Sequence, residues 1–125
     1  MGKSVLIIGE DPAEIDFDGP DAPKGISAAK IMDGLNSSLA RLRAAGHFAT
    51  LLLTKDAETV ERQATEALGE QRYDVIVVGA GLRTLPPLAL QFERLINVLH
   101  EKAPHAKLAF NSQPGDSDVA AMRWI

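Results

Sequence analysis

The sequence predicts an α/β protein: a three-layer sandwich around a four-stranded parallel sheet of order 2-1-3-4, flavodoxin-like or Rossmann-like. Two observations carry this expectation. Three apolar runs break abruptly into small and polar residues: Val5-Leu6-Ile7-Ile8 into Gly9-Glu10-Asp11, Val75-Ile76-Val77-Val78 into Gly79-Ala80-Gly81, and Leu108-Ala109-Phe110 into Asn111-Ser112. Short, near-continuous apolar runs of this kind are strands buried on both faces, as a parallel sheet requires. Between them the apolar period lengthens to steps of three and four, the stripe of helices packed on a sheet. Parallel strands joined by helices take right-handed crossovers.

The elements follow in order. Ser4 to Gly9 is the first strand. Glu10 to Lys24 is a fifteen-residue loop in which Pro12, Gly19, Pro20 and Pro23 block regular structure. Loops of that length in compact domains are usually functional, and this one is expected to close over the sheet edge. Ser27 is placed to cap a helix whose inner stripe is Ala28, Ile31, Met32, Leu35, Leu39 and Leu42, with Gly46 as its left-handed stop. Gly34 interrupts that helix at a cost of about 1 kcal/mol relative to alanine, so it marks close packing or a bend.

His47 to Leu53 is the second strand, followed by a helix capped by Asp56 with Ala57, Val60, Ala64, Ala67 and Leu68 facing inward. Tyr73 to Val78 is the third strand. Thr84 is placed as the cap of a third helix that starts at Pro86-Pro87, carries Leu88, Phe92, Leu95, Ile96 and Leu99, and stops at Ala103-Pro104. Its outer face, with Leu90, Arg94, Asn97 and Val98, is expected to be a subunit contact. Ala106 to Phe110 is the fourth strand. Asp116 or Ser117 caps a final helix ending in Trp124-Ile125. As an edge, the fourth strand leaves Leu108-Ala109-Phe110 poorly protected. Self-association as a homodimer or higher homo-oligomer, covering that edge or a neighbouring helix face, is the expectation.

The 125 residues, 46% of them hydrophobic, fit one domain spanning 1–125. A chain of this size buries roughly two thirds of its unfolded surface, so the core needs no disulfide or metal. The absence of cysteine excludes thiolate metal sites and cysteine nucleophiles. A net charge of −4 argues against nucleic acid as a partner. The apolar N-terminal run is too short for a signal peptide or a membrane span, and Leu6 stands where a myristoylation motif needs Ser or Thr. A soluble, cytoplasmic protein without a membrane partner is expected. The acidic excess is local: Glu10, Asp11, Glu14, Asp16, Asp18 and Asp21 precede Lys24 without an intervening base, either a solvated face or a lid and cation site.

In open α/β sheets, ligands bind outside the carboxyl ends of the strands. Three loops meet there, contributing Gly9, Glu10 and Asp11; Gly79, Gly81, Arg83 and Thr84; and Asn111, Ser112 and Gln113. Glycines beside a helix start, with the fixed charge of Arg83, suit a phosphate or carboxylate. Gly79-x-Gly81 lacks the third glycine of the dinucleotide fingerprint, because Thr84 stands there, and it follows the third strand instead of the first. Glu10 and Asp11 are oxygen donors for a divalent cation and Glu10 is an acid–base group if burial raises its pKa. Ser112 lies outside any GxSxG elbow. His47, His100 and His105 all belong to the end of the domain remote from these loops, so Ser112 has no histidine base. No cofactor follows from these residues.

Val5-Leu6-Ile7-Ile8-Gly9-Glu10-Asp11-Pro12 resembles the first strand and acidic pair of a response-regulator receiver domain, with Tyr73–Val78 in the place of its third strand. Gly79 stands where the phospho-accepting aspartate belongs, Asn111 where the hydroxyl residue belongs, and the fifth strand with its lysine is missing. The likeness implies layout, not phosphotransfer. The stretches Val77–Arg83 through Phe92–Asn97, and Ala109–Ser112 through Arg123-Trp124, resemble a group of short bacterial α/β proteins of uncharacterised activity. That resemblance implies a common fold and a site at Arg83 and Asn111, without a substrate. Three readings follow: a protein binding an anionic metabolite or nucleotide at the sheet edge, a receiver-like interaction module acting through homo-oligomers, or a metal-assisted hydrolase or transferase using Glu10 and Asp11.

Overall fold

A computed structural model describes residues 2–20, 22 and 25–125. Of the long loop, Asp21, Pro23 and Lys24 lie outside the described residues. The chain forms β1 (Ser4–Glu10), α1 (Ala28–Ala44), β2 (Phe48–Thr54), α2 (Val60–Glu70), β3 (Val75–Val78), α3 (Ala80–Thr84), α4 (Ala89–Lys102), β4 (Lys107–Phe110) and α5 (Ser117–Met122). Short 3-10 turns at Pro12–Glu14, Pro86–Leu88 and Pro114–Asp116 each begin on a proline, whose fixed φ favours the first turn while its missing N–H costs nothing there.

All strand pairs are parallel and the order is β2-β1-β3-β4. The first crossover leads from β1 to β2 and the next returns past β1 to β3. The order therefore reverses between β1 and β3, the switch point at which α/β sheets open a crevice.

Alternation along each strand divides the core. Val5, Ile7, Val75, Val77 and Ala109 pack against Ile31, Leu35, Leu39 and Leu42 of α1 and Ala120 and Ala121 of α5. Leu6, Ile8, Ile76 and Val78 pack on the other face against α2, α3 and α4 through Val60, Ala64, Leu82, Leu95 and Leu99. This is the sandwich expected from period-two strands between period-3.6 helices.

Local rules set the ends of α1. Ser27 accepts the Lys30 N–H at 3.2 Å as its cap. At the other end Gly46, with φ of 93°, lets its N–H reach Arg43 O and the next N–H, of His47, reach Leu42 O, both at 3.0 Å. That pair of bonds is the Schellman stop. Asp56 does not occupy the N-cap of α2, which is Thr59, but holds the turn leading into it by accepting the Thr59 N–H at 2.9 Å. Gly34 is a close-packing glycine: a Cβ there would stand 2.8 Å from Gly115 N, in the turn leading into α5. Arg41 clamps the same junction, meeting Asp118 with Nε at 2.8 Å and Nη2 at 2.9 Å, and Gly115 O at 2.6 Å. Its guanidinium holds the Asp118 carboxyl below the usual carboxylate range.

Two expectations for the helix after β3 are corrected. Thr84 does not cap it: Ala80–Thr84 is itself a helical turn beginning directly at Gly79, and the Thr84 hydroxyl donates back to Ala80 O at 2.8 Å. The outer-face assignment also fails at two positions. Val98 is core, and Arg94 is spent within the chain, donating to Ala57 O at 2.7 Å and lying 3.7 Å from Glu61.

No described helix is long and apolar enough to cross a membrane.

Candidate functional site

A cavity of about 350 Å³ opens where β1 and β3 end, at the switch point of the sheet. Ile8, Gly9 and Glu10 come from β1, Gly79 from the end of β3, and Ala80, Gly81, Leu82 and Thr84 from α3. Leu85 follows α3, while Ile31 and Leu35 of α1 and Ile15 and Ile26 of the long connection supply the remaining aliphatic wall. Asn111, Ser112, Gln113 and Pro114 close the side nearest β4. The volume lies in the range of small-molecule sites, and mostly apolar walls with a few polar groups are their usual composition.

The polar groups divide into those spent on the fold and those left facing the opening. Asn111 is buried, and each end of its carboxamide makes a bond within the chain: Oδ1 accepts the Ala80 N–H at 2.7 Å and Nδ2 donates to Ser117 Oγ at 2.8 Å. Gly79 occupies the N-cap position of α3 but has no side chain with which to cap. Asn111, 31 residues further on, supplies the missing acceptor. This pins β4 to the start of α3 and adds a structural role to Asn111, which also lines the cavity.

Arg83 is displaced from its expected role. Its Nη2 donates to Asn111 O, and its guanidinium lies 5.2 Å from the centre of the Phe110 ring. It is exposed and does not line the cavity. Glu10 and Asn111 thus share the crevice, while Arg83 braces β4 from outside. No lysine, arginine or histidine lines the cavity among the described residues.

The two glycines differ in what holds them. A Cβ on Gly79 would meet Ile8 O at 3.2 Å, so a side chain there would require the β1 backbone to give by a few tenths of an ångström. A Cβ on Gly81 would meet only Leu85 Cδ1, at 3.8 Å, with no unusual backbone angle. Space and conformation both leave Gly81 free to be larger. Its smallness preserves room in the cavity.

Among the described residues, Glu10 is the one ionisable group on the lining. Burial, then the nearby Glu14 and Asp11, push its carboxyl up to about 6. It also borders a second recess of about 230 Å³, shared with Glu14, Asp16, Pro20 and Leu88. Asp11 is turned elsewhere, its carboxylate accepting the Ala13 N–H at 2.9 Å to cap the Pro12 turn. No group of three or more His, Asp or Glu is gathered for a metal among the described residues. Ser112 lines the cavity and is exposed, with its N–H held by Asp116 at 3.0 Å. His47 sits at the amino end of β2, accepting the Lys3 N–H at 3.1 Å, and His105 precedes β4. His100 lies in the last turn of α4.

Two buried polar residues escaped sequence reasoning. Gln91, placed on the apolar stripe of α4, donates to Thr54 Oγ1 at 2.7 Å, and Thr54 donates to Gly9 O at 3.3 Å. This chain fixes the backbone next to Glu10. Its signal is a glutamine one position before Phe92, which amphipathic periodicity does not separate from a solvent-facing residue.

Compared with known protein families and with curated proteins, the chain matches none.

Proposed function

We propose that this protein binds a compact, mostly apolar organic molecule, neutral or bearing one positive charge, at the carboxyl ends of β1 and β3. The observation that supports it best is the composition of the cavity of about 350 Å³: aliphatic walls with Glu10 as the sole ionisable lining group among the described residues. Apolar ligand surface gains roughly 25 cal/mol for each Å² withdrawn from water. A phosphate gains nothing comparable here, since it would lose hydration beside a carboxyl group with no cation on the lining among the described residues. The reading therefore departs from the anionic ligand suggested by Arg83. Glu10 gives the ligand its polar anchor, accepting from an amine or hydroxyl when ionised. Ile15 and Ile26 cover the bound molecule from the long connection.

A thermal-shift panel tests this with three arms: small aromatic and aliphatic amines and alcohols, nucleotides and sugar phosphates, and divalent cations. Members of the first arm should raise Tm by several degrees at about 100 times Kd, equivalent to roughly 2.7 kcal/mol. Gly81→Phe should fold normally and lose that response. A rise confined to phosphorylated compounds or to cations overturns the reading.

A further inference from the structure

Given the binding reading above, we infer that Leu85, with Ile15, makes the site select a ligand whose polar group is terminal. A primary amine or primary alcohol is admitted, and a molecule substituted beyond that group is refused. The cavity at the ends of β1 and β3 and the recess of about 230 Å³ beside it share three lining residues: Glu10, Ile15 and Leu85. Residues that line two adjoining spaces form the wall between them. Glu10 is the polar part of this wall, and Ile15 and Leu85 are its apolar part. A ligand that fills the aliphatic cavity and bonds Glu10 therefore has its polar group against the wall. Any group attached beyond that nitrogen or oxygen has to pass Ile15 and Leu85 to reach the recess, where Gly19, Ala22 and Pro87 stand.

Leu85 is the firmer of the two stops. It is half-buried yet belongs to neither apolar layer of the described core, whereas Ile15 packs against the layer on the α1 side. The Leu85 side chain is thus not used for packing on the sheet, and its place is the wall. Its backbone is held on both sides. The Leu85 N–H donates to Gly81 O at 3.2 Å, and its carbonyl accepts the Leu88 N–H at 2.9 Å. Pro86 follows, and with φ of −84° and ψ of 115° Leu85 has the extended conformation that a residue before proline prefers. A backbone fixed in this way leaves the size of the side chain at 85 to decide what passes. On the cavity side, a Cβ at Gly81 would lie 3.8 Å from Leu85 Cδ1, so glycine keeps the space in front of the wall clear. An extra methylene that an apolar pocket cannot seat weakens binding by about 10-fold or more.

Calorimetry with two matched pairs tests this: phenethylamine and hexylamine, each against its N-propyl derivative. All are singly charged cations at neutral pH, so charge does not distinguish them. The wild type should bind the primary amines at least ~10-fold more tightly. Leu85→Ala should narrow that preference to under about threefold, and Ile15→Ala should narrow it in the same direction. Pro87→Ala, which alters the recess and not the wall, should keep it. In Leu85→Ala the N-propyl amines, and not the primary ones, should shift the amide NMR signals of Gly19 and Ala22, which line the recess and not the cavity. Equal Kd within each pair for the wild type overturns the inference and leaves the cavity reading standing. So does a preference retained in both wall variants, or one relaxed without the Gly19 and Ala22 shifts. Failure of every amine to bind any variant overturns the cavity reading, and the inference with it.

Discussion

The carboxamide of Asn111 caps α3 from the far side of the cavity: its Oδ1 lies 2.7 Å from the Ala80 nitrogen, 31 residues back in the chain. The bond replaces a cap that Gly79 cannot provide, and it uses the residue most readily taken for a ligand contact. The rim of the cavity is therefore tied together on the β3–β4 side.

Asn111→Ala would leave the Ala80 N–H without its acceptor and deprive Ser117 Oγ of its donor, both beside the core. The expected cost is about 2–3 kcal/mol, the range for buried polar groups left unpaired, measured by urea denaturation. A loss below about 0.5 kcal/mol would show that water replaces the amide and that α3 is not held from β4.

Arg83→Ala should behave differently. The side chain is exposed, stacks on Phe110 and braces a carbonyl, contacts worth about 1 kcal/mol at such sites. Stability should fall by no more than that, and cavity ligands should bind with unchanged Kd by calorimetry. A Kd raised tenfold would return Arg83 to the site.

Gly34→Ala would push a methyl group to 2.8 Å from the Gly115 nitrogen, where two backbone segments meet. Overpacking of this kind costs about 1–3 kcal/mol, more than the helix gains from replacing glycine. A variant more stable than the wild type in a thermal melt would contradict the close packing of α1 on the turn before α5.

The Glu10 carboxyl, raised from about 4.5 to about 6, makes a signed prediction. The folded state holds this proton more tightly than the unfolded chain does, so Glu10's contribution is present below about pH 4.5 and lost as pH rises through about 6. Glu10→Gln should match the wild type near pH 4 and melt higher than it at pH 7 and above. Equal melting curves at both pH values would show the carboxyl to be fully solvated.

The fold was legible because its signals are periodic and its punctuation is strong. The run Val75–Val78 reads as a doubly buried strand, and Ser27 and Gly46 bracket α1 by side-chain and backbone chemistry that is local in sequence. The edge of the sheet that carries the cavity was legible for the same reason, since it is set by strand direction alone. What escaped was anything decided across the chain. Asn111 and Arg83 have the chemistry of ligand-binding residues, and only the approach of β4 to α3 reveals that each also makes bonds that hold the fold. Val98, assigned to the outer face of α4, is buried because α2 packs against that helix, and Gln91 is buried by its bond to Thr54 of β2, which periodicity does not reveal. The apolar character of the cavity comes from Ile15, Ile26, Ile31 and Leu35, residues that sequence alone assigns to a loop and to a helix core.

The most direct test of the account is an amide NMR titration with a small aromatic amine. The binding model predicts saturable shifts clustered on Gly9, Glu10, Gly81, Leu85, Ile31 and Ser112, abolished in Gly81→Phe while the rest of the spectrum is preserved. Shifts scattered over other surfaces, or the same cluster responding to a nucleotide and not to the amine, would contradict it.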